Sequence, residues 1–562
     1  MLIKIKGGGR ILLWIIPLLF LTVFYFYPLA SVFKFILEAI DRIILDIDFI
    51  NRIWTPLSFT IYQAVLSTFF TVLLGLPAAY LFSHYEFPGK SLLRIAVTLP
   101  FILPTVVVAA GFNALIGPRG WANLILMEIF SLNEAPIHLL NSLYAILLAH
   151  IFYNTSVVIR VVSAAWQQLD LRLEQAGRVL GASQWQNFWK VVFPLLLPSI
   201  LSAILLVFLF DFTSFGVIML LGGPRFATIE VEIYIQTMHM LNFPLASLLS
   251  VLQLLFTFLI TALSIKLGGA SMAPFMPRLR GERVKRLSSD GSKIFAMCMI
   301  FLLVLILVLP VVALGLRSVT QLEAVRGGRG SFTSGLTLDF YREIFINRRQ
   351  SLFYVPPITA VRNSMIYALS ASVLSDFLGM LAALALTRTQ RKSIWLDSLL
   401  MLPLGTSAVT MGFGFIIAFS QLSNALYYYP LLIPIVHTLV SLPFVVRVLQ
   451  PALAAIPQSL RQAAKALGAS PFQVWRNIDL PIIGRAVAVS AIFSFTISLG
   501  EFGATSFLTR PDIPTIPIAI FRYLNLPGAL NYGQAMVMAT ILLIVCGLSM
   551  WLMESLLVNV SE

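Results

Sequence analysis

A helix crossing the hydrocarbon core of a bilayer, about 30 Å thick, needs roughly 20 apolar residues in a row. Twelve runs of that character succeed one another along this chain of 562 residues. They lie near 11–35, 57–83, 93–117, 140–166, 195–222, 243–268, 293–317, 359–387, 395–420, 428–450, 484–508 and 533–558. Hydrophobic residues make up 59% and charged residues 11%, far outside the soluble range, so the chain reads as an all-α integral membrane protein. The first run, with Lys4, Lys6 and Arg10 before it, has the flank of a secretory signal. It is too long and no small-residue cleavage site follows, so a retained span is expected.

The formal charge of +14 would suggest nucleic acid in a soluble chain, but here the basic residues sit in particular loops, and no nucleic-acid partner is expected. Lys4/Lys6/Arg10, Lys90/Arg94, Arg172/Arg178/Lys190, the cluster Arg278 to Arg286, Arg388/Arg391/Lys392 and Arg461/Lys465/Arg476 all fall on one side if both termini are cytoplasmic. The opposite loop 36–56 carries Glu38, Asp41, Asp46 and Asp48. The arginine-rich loop 318–358 would lie outside, and long loops bend the positive-inside rule. Cys298 and Cys546, the only cysteines, both lie in apolar runs, which leaves neither a disulfide framework nor a metal-ligand cluster.

The chain is written twice. "LLAHIFYNTSVVIR" ending at Arg160 matches "PIVHTLVSLPFVVR" ending at Arg447, so that His150 pairs with His437 at 437 − 150 = 287. The same offset carries Gly181 to Gly468, Pro194 to Pro481, Phe215-Gly216 to Phe502-Gly503, Pro224 to Pro511 and Thr228-Ile229 to Thr515-Ile516 without a gap. Upstream, Pro100 matches Pro403, and 303 − 287 = 16 extra residues fall in the first copy, most simply near 118–138. Six spans per copy make parallel repeats: residues 1–269, a basic linker 270–292, and 293–562.

Between the fourth and fifth span of each copy, at 167–194 and 454–481, an alanine-rich polar helix runs into Gly-Ala-Ser and an amphipathic stretch ending in proline. Glycine there permits a left-handed turn and close approach of a partner, and proline suits a helix start. Trp185, Trp189, Phe472 and Trp475 supply interfacial anchors. One such segment could be an ordinary interfacial loop; its duplication at matching positions argues for a docking role.

These segments, Glu174-Gln175-Ala176, Gly181, Val191, Phe193-Pro194 and Arg461-Gln462-Ala463, Gly468, Ile478, Leu480-Pro481, resemble the EAA loops of binding-protein-dependent ABC importer permeases. The resemblance covers nearly the whole chain as a fused pair of six-span permeases, and implies a duplicated type I importer permease fold in a bacterial inner membrane. It implies that Glu174, Ala176, Gly181, Ala182 and Ser183, with Arg461, Ala463, Gly468, Ala469 and Ser470, couple the chain to two copies of a cytoplasmic ABC ATPase. In the family the leading glutamate meets a basic residue of the ATPase. Arg461 reverses that sign, so functionally unequal halves are expected, with Arg461→Glu mild.

The chain itself has no ATP site: "PGKS" at 88–91 lacks the first glycine of a phosphate loop, His84 standing in its place. No catalytic residue, metal or cofactor is expected. Asp211 and Glu501 lie within apolar runs of the fifth span of each copy, yet are not equivalent, since 211 + 287 gives Ser498 and 501 − 287 gives Ser214. Intramembrane acids are costly. With Phe212, Phe215 and Phe502 they either face a shared path suited to a flat-ring cation or metal complex, or bond to neighbouring helices or lie near a mouth. His150/His437 and Arg160/Arg447 read as structural, and Asp376 is given no role. "LLGGPRFATIEVEIY" with "LLAHIFYN" resembles the thiamine permease branch, ferric-iron permeases being next; an extracytoplasmic binding protein would deliver the solute to that outer region. The rival class, an ion-coupled secondary transporter of six plus six spans, is disfavoured by "SHYEFPGKSLLR", which lacks the signature of the major facilitator family.

Overall fold

The structure, a computed structural model, describes residues 7–43, 47–223, 225–268, 285–324, 332–346, 355–388, 394–420 and 431–558. Lys4, Lys6, Asp46, Pro224, Arg278, most of the linker 270–292, Arg391 and Lys392 lie outside the described residues, as do the side chains of Arg10, Glu38, Asp41, Asp48, Glu174 and Arg388. Among the described residues, 10 helices are long and apolar enough to cross a membrane, or up to 12 if each of two bent helix pairs is one span. The strands among the described residues are a parallel pair, Tyr85–Glu86 with Lys285–Arg286, and an antiparallel pair, Thr320–Ala324 with Phe332–Leu336.

Spans three and nine are not the straight crossings expected near 93–117 and 395–420. Lys90–Ile102 and Thr105–Phe130 meet at 116°, and Leu396–Gly405 and Ala408–Ser420 at 97°. The cause in the first copy is local: Leu103 precedes Pro104 and is forced into extended backbone (φ −68°, ψ 134°). In the second, a short 3-10 turn at Leu402–Gly405 ends in extended Thr406. Spans five and eleven are displaced from the expected 195–222 and 484–508: they run Gln184–Phe212 and Pro471–Gly500. The amphipathic stretch before each proline is therefore continuous with the span, and the helix stops short where Thr213–Phe215 and Glu501–Ala504 break it.

Close packing marks the repeat as clearly as sequence does. A Cβ on Gly75 would lie 2.6 Å from the Cβ of Val158, and one on Gly379 would collide with Val445, so spans two and four, and eight and ten, touch through glycine in both copies. Here 445 − 158 = 287, whereas 379 − 75 = 304, so one further residue is shifted upstream.

The chain divides into two compact units: residues 46–232 with 252–336, and residues 1–45 with 233–251 and 337–562. Each therefore takes its first span from the other copy. In the first unit span seven, Asp290–Ser318, lies on the first copy, where a Cβ on Gly111 would stand 2.9 Å from the Pro310 carbonyl oxygen and Trp121 Nε1 donates to the Ala313 carbonyl. In the second unit span one, Leu13–Leu37, lies on the second copy: Gly414 meets Pro28, the Tyr25 and Thr406 hydroxyls share a hydrogen bond of 2.7 Å, and Phe20 and Leu21 join Leu378, Met411, Phe415 and Leu439 in one core. Gly111 and Gly414 are equivalent (414 − 111 = 303).

Because the atom facing Gly111 is backbone, Gly111→Ala forces a helix shift, with an expected cost of about 1–3 kcal/mol. Gly315→Ala, on the same partner helix with nothing within 4 Å of its new methyl, is the control and should be neutral or slightly stabilising. Thermal unfolding in detergent should separate the two; equal behaviour would show that span seven is not seated on Gly111.

Candidate functional site

The two loops between spans four and five, and ten and eleven, have the same backbone element by element. Helix Leu171–Val179 matches Gln458–Ala466, the turn Gln184–Asn187 matches Pro471–Val474, and the π-helical turn Phe188–Val192 matches Trp475–Asp479, all at the offset of 287. Gly181 and Gly468 have φ of +84° and +85°, the left-handed region. The chain can then reverse while the last carbonyls are paired: the N–H groups of Leu180, Gly181 and Ala182 reach the carbonyls of Ala176, Arg178 and Gly177, and those of Leu467, Gly468 and Ala469 repeat the set. Ser183 and Ser470 start the next helix, each in a reciprocal capping box with Gln186 or Gln473.

Nothing lies within 4 Å of a Cβ built on Gly181 or Gly468. The turn, not crowding within the chain, demands glycine there. Around it Ala176, Ala463, Ser183 and Ser470 are exposed, and Ala182 and Ala469 are half-buried. The tips present apolar side chains to the outside: Val179 and Leu180 are 87% exposed and Leu467 88%. Leu and Val thus stand bare at the tip of an otherwise polar loop. The side chain of Glu174 is not described, but Arg461 is placed clearly: its Nε donates to Asp479 Oδ1 at 2.7 Å, and the Asp479 carboxylate is 2% exposed. This pairing argues against a mild Arg461→Glu, which would set a second carboxylate against a buried one.

The second feature is the break ending span five. In the first copy His150 Nδ1 lies 3.3 Å from Asp211 Oδ1 and 3.0 Å from Ser67 Oγ, and Nε2 lies 2.8 Å from Ser214 Oγ. Asn154 Nδ2 donates to the same carboxylate at 2.7 Å, and Gln63 Nε2 to the Asp211 carbonyl at 2.8 Å. In the second copy the parts trade places. His437 Nδ1 meets Ser498 Oγ at 2.6 Å, and Nε2 faces Glu501 Oε2 at 3.3 Å and Thr505 Oγ1 at 2.8 Å. The Glu501 carboxylate accepts from the Ala504 and Thr505 amides and the Thr505 hydroxyl, which closes the broken end.

Since 498 − 211 and 501 − 214 both equal 287, acid and hydroxyl are exchanged across an unchanged histidine. Asp211 and Glu501 are buried, each bonded within its own copy. Phe212, Phe215 and Phe502 are buried beside them, Phe212 against Phe208 and Phe256, and Phe502 against Phe521.

The profile of the family described as binding-protein-dependent transport system inner membrane component matches the chain twice, at residues 71–324 and 375–558. The chain belongs to that family. It is a fused, multi-pass importer permease. Among curated proteins it is similar to the thiamine transport system permease protein of Brucella abortus, at 27% identity over 89% of this chain and 87% of that one. The permease of the same description from Escherichia coli is 24% identical over 90% and 89%, and a probable ABC transporter permease protein of Sinorhizobium fredii is 26% identical over 84% and 82%. Among solved structures, a bacterial alginate ABC transporter in complex with an alginate pentasaccharide-bound periplasmic protein aligns with 45% of this chain and 91% of its own, at 18% identity and a TM-score of 0.38.

Within the permease, Arg447 reaches Asp397 at 3.6 Å and Arg160 lies over the Phe101 ring. Asp376, without a role in the sequence, accepts from the Ser490 hydroxyl at 2.8 Å. Asp479 was missed altogether, and its only sequence signal is an acid standing where the first copy has Val192.

A left-handed β-branched residue costs about 1–2 kcal/mol. Gly181→Val and Gly468→Val should therefore speed hydrogen exchange of the turn amides roughly 5- to 30-fold, while Gly181→Asn should leave it near wild type, because asparagine tolerates this region. Removing the buried acid with Asp211→Ser should lower stability by about 1–3 kcal/mol. Restoring an acid on the other side of His150, with Asp211→Ser plus Ser214→Glu, should recover at least half of that loss in thermal unfolding. No recovery would mean that the two arrangements are not interchangeable.

Proposed function

We propose that the permease supplies both halves of one pore, residues 1–269 and 293–562 joined by the linker 270–292, rocked by two copies of a cytoplasmic ABC ATPase docked on the paired loops. Both termini are cytoplasmic in this reading. The observation that carries it is the pair of loops, which repeat the same left-handed glycine, capping box and bare apolar tip. Glu174, Ala176, Gly181, Ala182 and Ser183, with Arg461, Ala463, Gly468, Ala469 and Ser470, form or shape the docking surface. Nucleotide hydrolysis belongs to the separate ATPase chain, and the permease needs no cofactor of its own.

The cargo we assign is thiamine or a related flat cationic ring, delivered by an extracytoplasmic binding protein. Supporting this are relatives of that description that are 23% to 27% identical over most of their length. Asp211, Phe212, Ser214 and Phe215, with Ser498, Glu501 and Phe502, border the path as the residues that hold the broken ends of spans five and eleven. An ion-coupled secondary transporter finds no support in the family match.

Reconstitution in liposomes with the ATPase and binding protein should give thiamine uptake that needs ATP, stops with vanadate and disappears when either partner is omitted. Uptake driven by an ion gradient without an ATPase would refute the coupling. ATP-driven uptake of a ferric complex in place of thiamine would refute the cargo alone.

A further inference from the structure

The two loops reach one shape through different bonds. In the first, helix Leu171–Val179 lies on the chain beneath it at Gly177, where any Cβ would collide with Asn187 Oδ1. In the second both partners are altered: 177 + 287 is Ala464 and 187 + 287 is Val474, so the close glycine–amide approach is gone. In its stead stands the ion pair Arg461–Asp479, whose counterparts in the first copy are Glu174 and Val192. The pair spans from the first turn of helix Gln458–Ala466 to the last residue of the π-helical turn Trp475–Asp479, immediately before helix Leu480–Gly500, which makes up most of span eleven.

Geometry and burial agree on what this link does. Asp479 Oδ1 accepts from Arg461 Nε at 2.7 Å, and the Asp479 side chain is 2% exposed and that of Arg461 23%. A carboxylate so far removed from water requires its cation, and a charge-assisted hydrogen bond between two short elements fixes their angle. We infer that Arg461 is a positioning residue: its guanidinium is engaged within the permease, does not take the place of a partner-facing glutamate, and ties the second loop helix to the foot of span eleven so that displacement of one moves the other. This rests on the proposed docking of an ATPase on these loops, and it predicts that Asp479, which presents nothing to a partner, matters as much as Arg461.

The test uses the full-length permease in lipid nanodiscs, alone and with its ATPase and binding protein, comparing Asp479→Asn, Arg461→Glu, the conservative Arg461→Lys and the reversed pair Arg461→Asp with Asp479→Arg. In the permease alone, hydrogen exchange of the amides at 458–466 should rise at least tenfold for Asp479→Asn and Arg461→Glu, and return to within threefold of wild type in the reversed pair, while 171–179 is unmoved. In the complex, the same two variants should lose at least tenfold of the ATP hydrolysis stimulated by the binding protein, with recovery in the reversed pair and partial retention in Arg461→Lys.

Wild-type exchange and hydrolysis in Asp479→Asn, with loss of bound ATPase in Arg461→Glu, would overturn the inference and place Arg461 in the docking contact. So would failure of the reversed pair when Arg461→Lys is active. If the wild-type permease retains no ATPase, the functional reading fails, and the exchange measurement on the permease alone still decides whether the link holds the loop.

Discussion

In a hydrocarbon environment an unpaired backbone amide or carbonyl costs several kcal/mol, so a membrane helix can stop only where the chain itself supplies partners. That constraint accounts for where the permease keeps its buried polar residues. Where span eleven breaks, Glu501 receives the freed amides of Ala504 and Thr505; where span five breaks, Gln63 donates to the Asp211 carbonyl. Further on, helices Ile229–Met238 and Ile516–Leu524 begin on hydroxyls from the second and eighth spans: the Ile229 amide donates to Thr60 Oγ1 and the Ile516 amide to Ser364 Oγ. The Glu501 carboxylate is thus the fastening of an interrupted helix, while the Asp211 carboxylate holds His150 and Asn154 beside the equivalent break.

Duplication displays which features are fixed by geometry and which only by the sum of bonds. The left-handed glycine recurs because no bulky side chain adopts that backbone at low cost. The histidine of spans four and ten sits between two positions, and the copies differ in which of them carries the acid. The loop helices likewise hold the same attitude by a glycine against an amide in one copy and by an arginine against a buried aspartate in the other.

Much of this architecture was legible in the residues. Apolar run lengths located the ten spanning helices and the two bent pairs, and the offset of 287 paired the two loops, whose helices, capping boxes and π-helical turns match residue for residue. Bends at spans three and nine escaped, because run length counts apolar residues and is blind to direction; Pro104 was the available signal. The early end of span five escaped for a related reason: "DFTSFG" and "GEFGATSF" are apolar enough to prolong a run, yet their glycine and hydroxyl residues favour interruption. The exchange of first spans and the Arg461–Asp479 pair depend on which surfaces meet in space, which spacing along one chain does not encode.

In the proposed function both loop tips are covered by an ATPase on the cytoplasmic side. In a background free of Cys298 and Cys546, single cysteines replacing Leu180 and Leu467 can be labelled in oriented membranes with a maleimide that does not cross the bilayer. Both positions should react from the cytoplasmic face and from that face alone, and both should be protected when the ATPase is bound. Labelling from the opposite face, or equal reactivity with and without bound ATPase, would contradict the account.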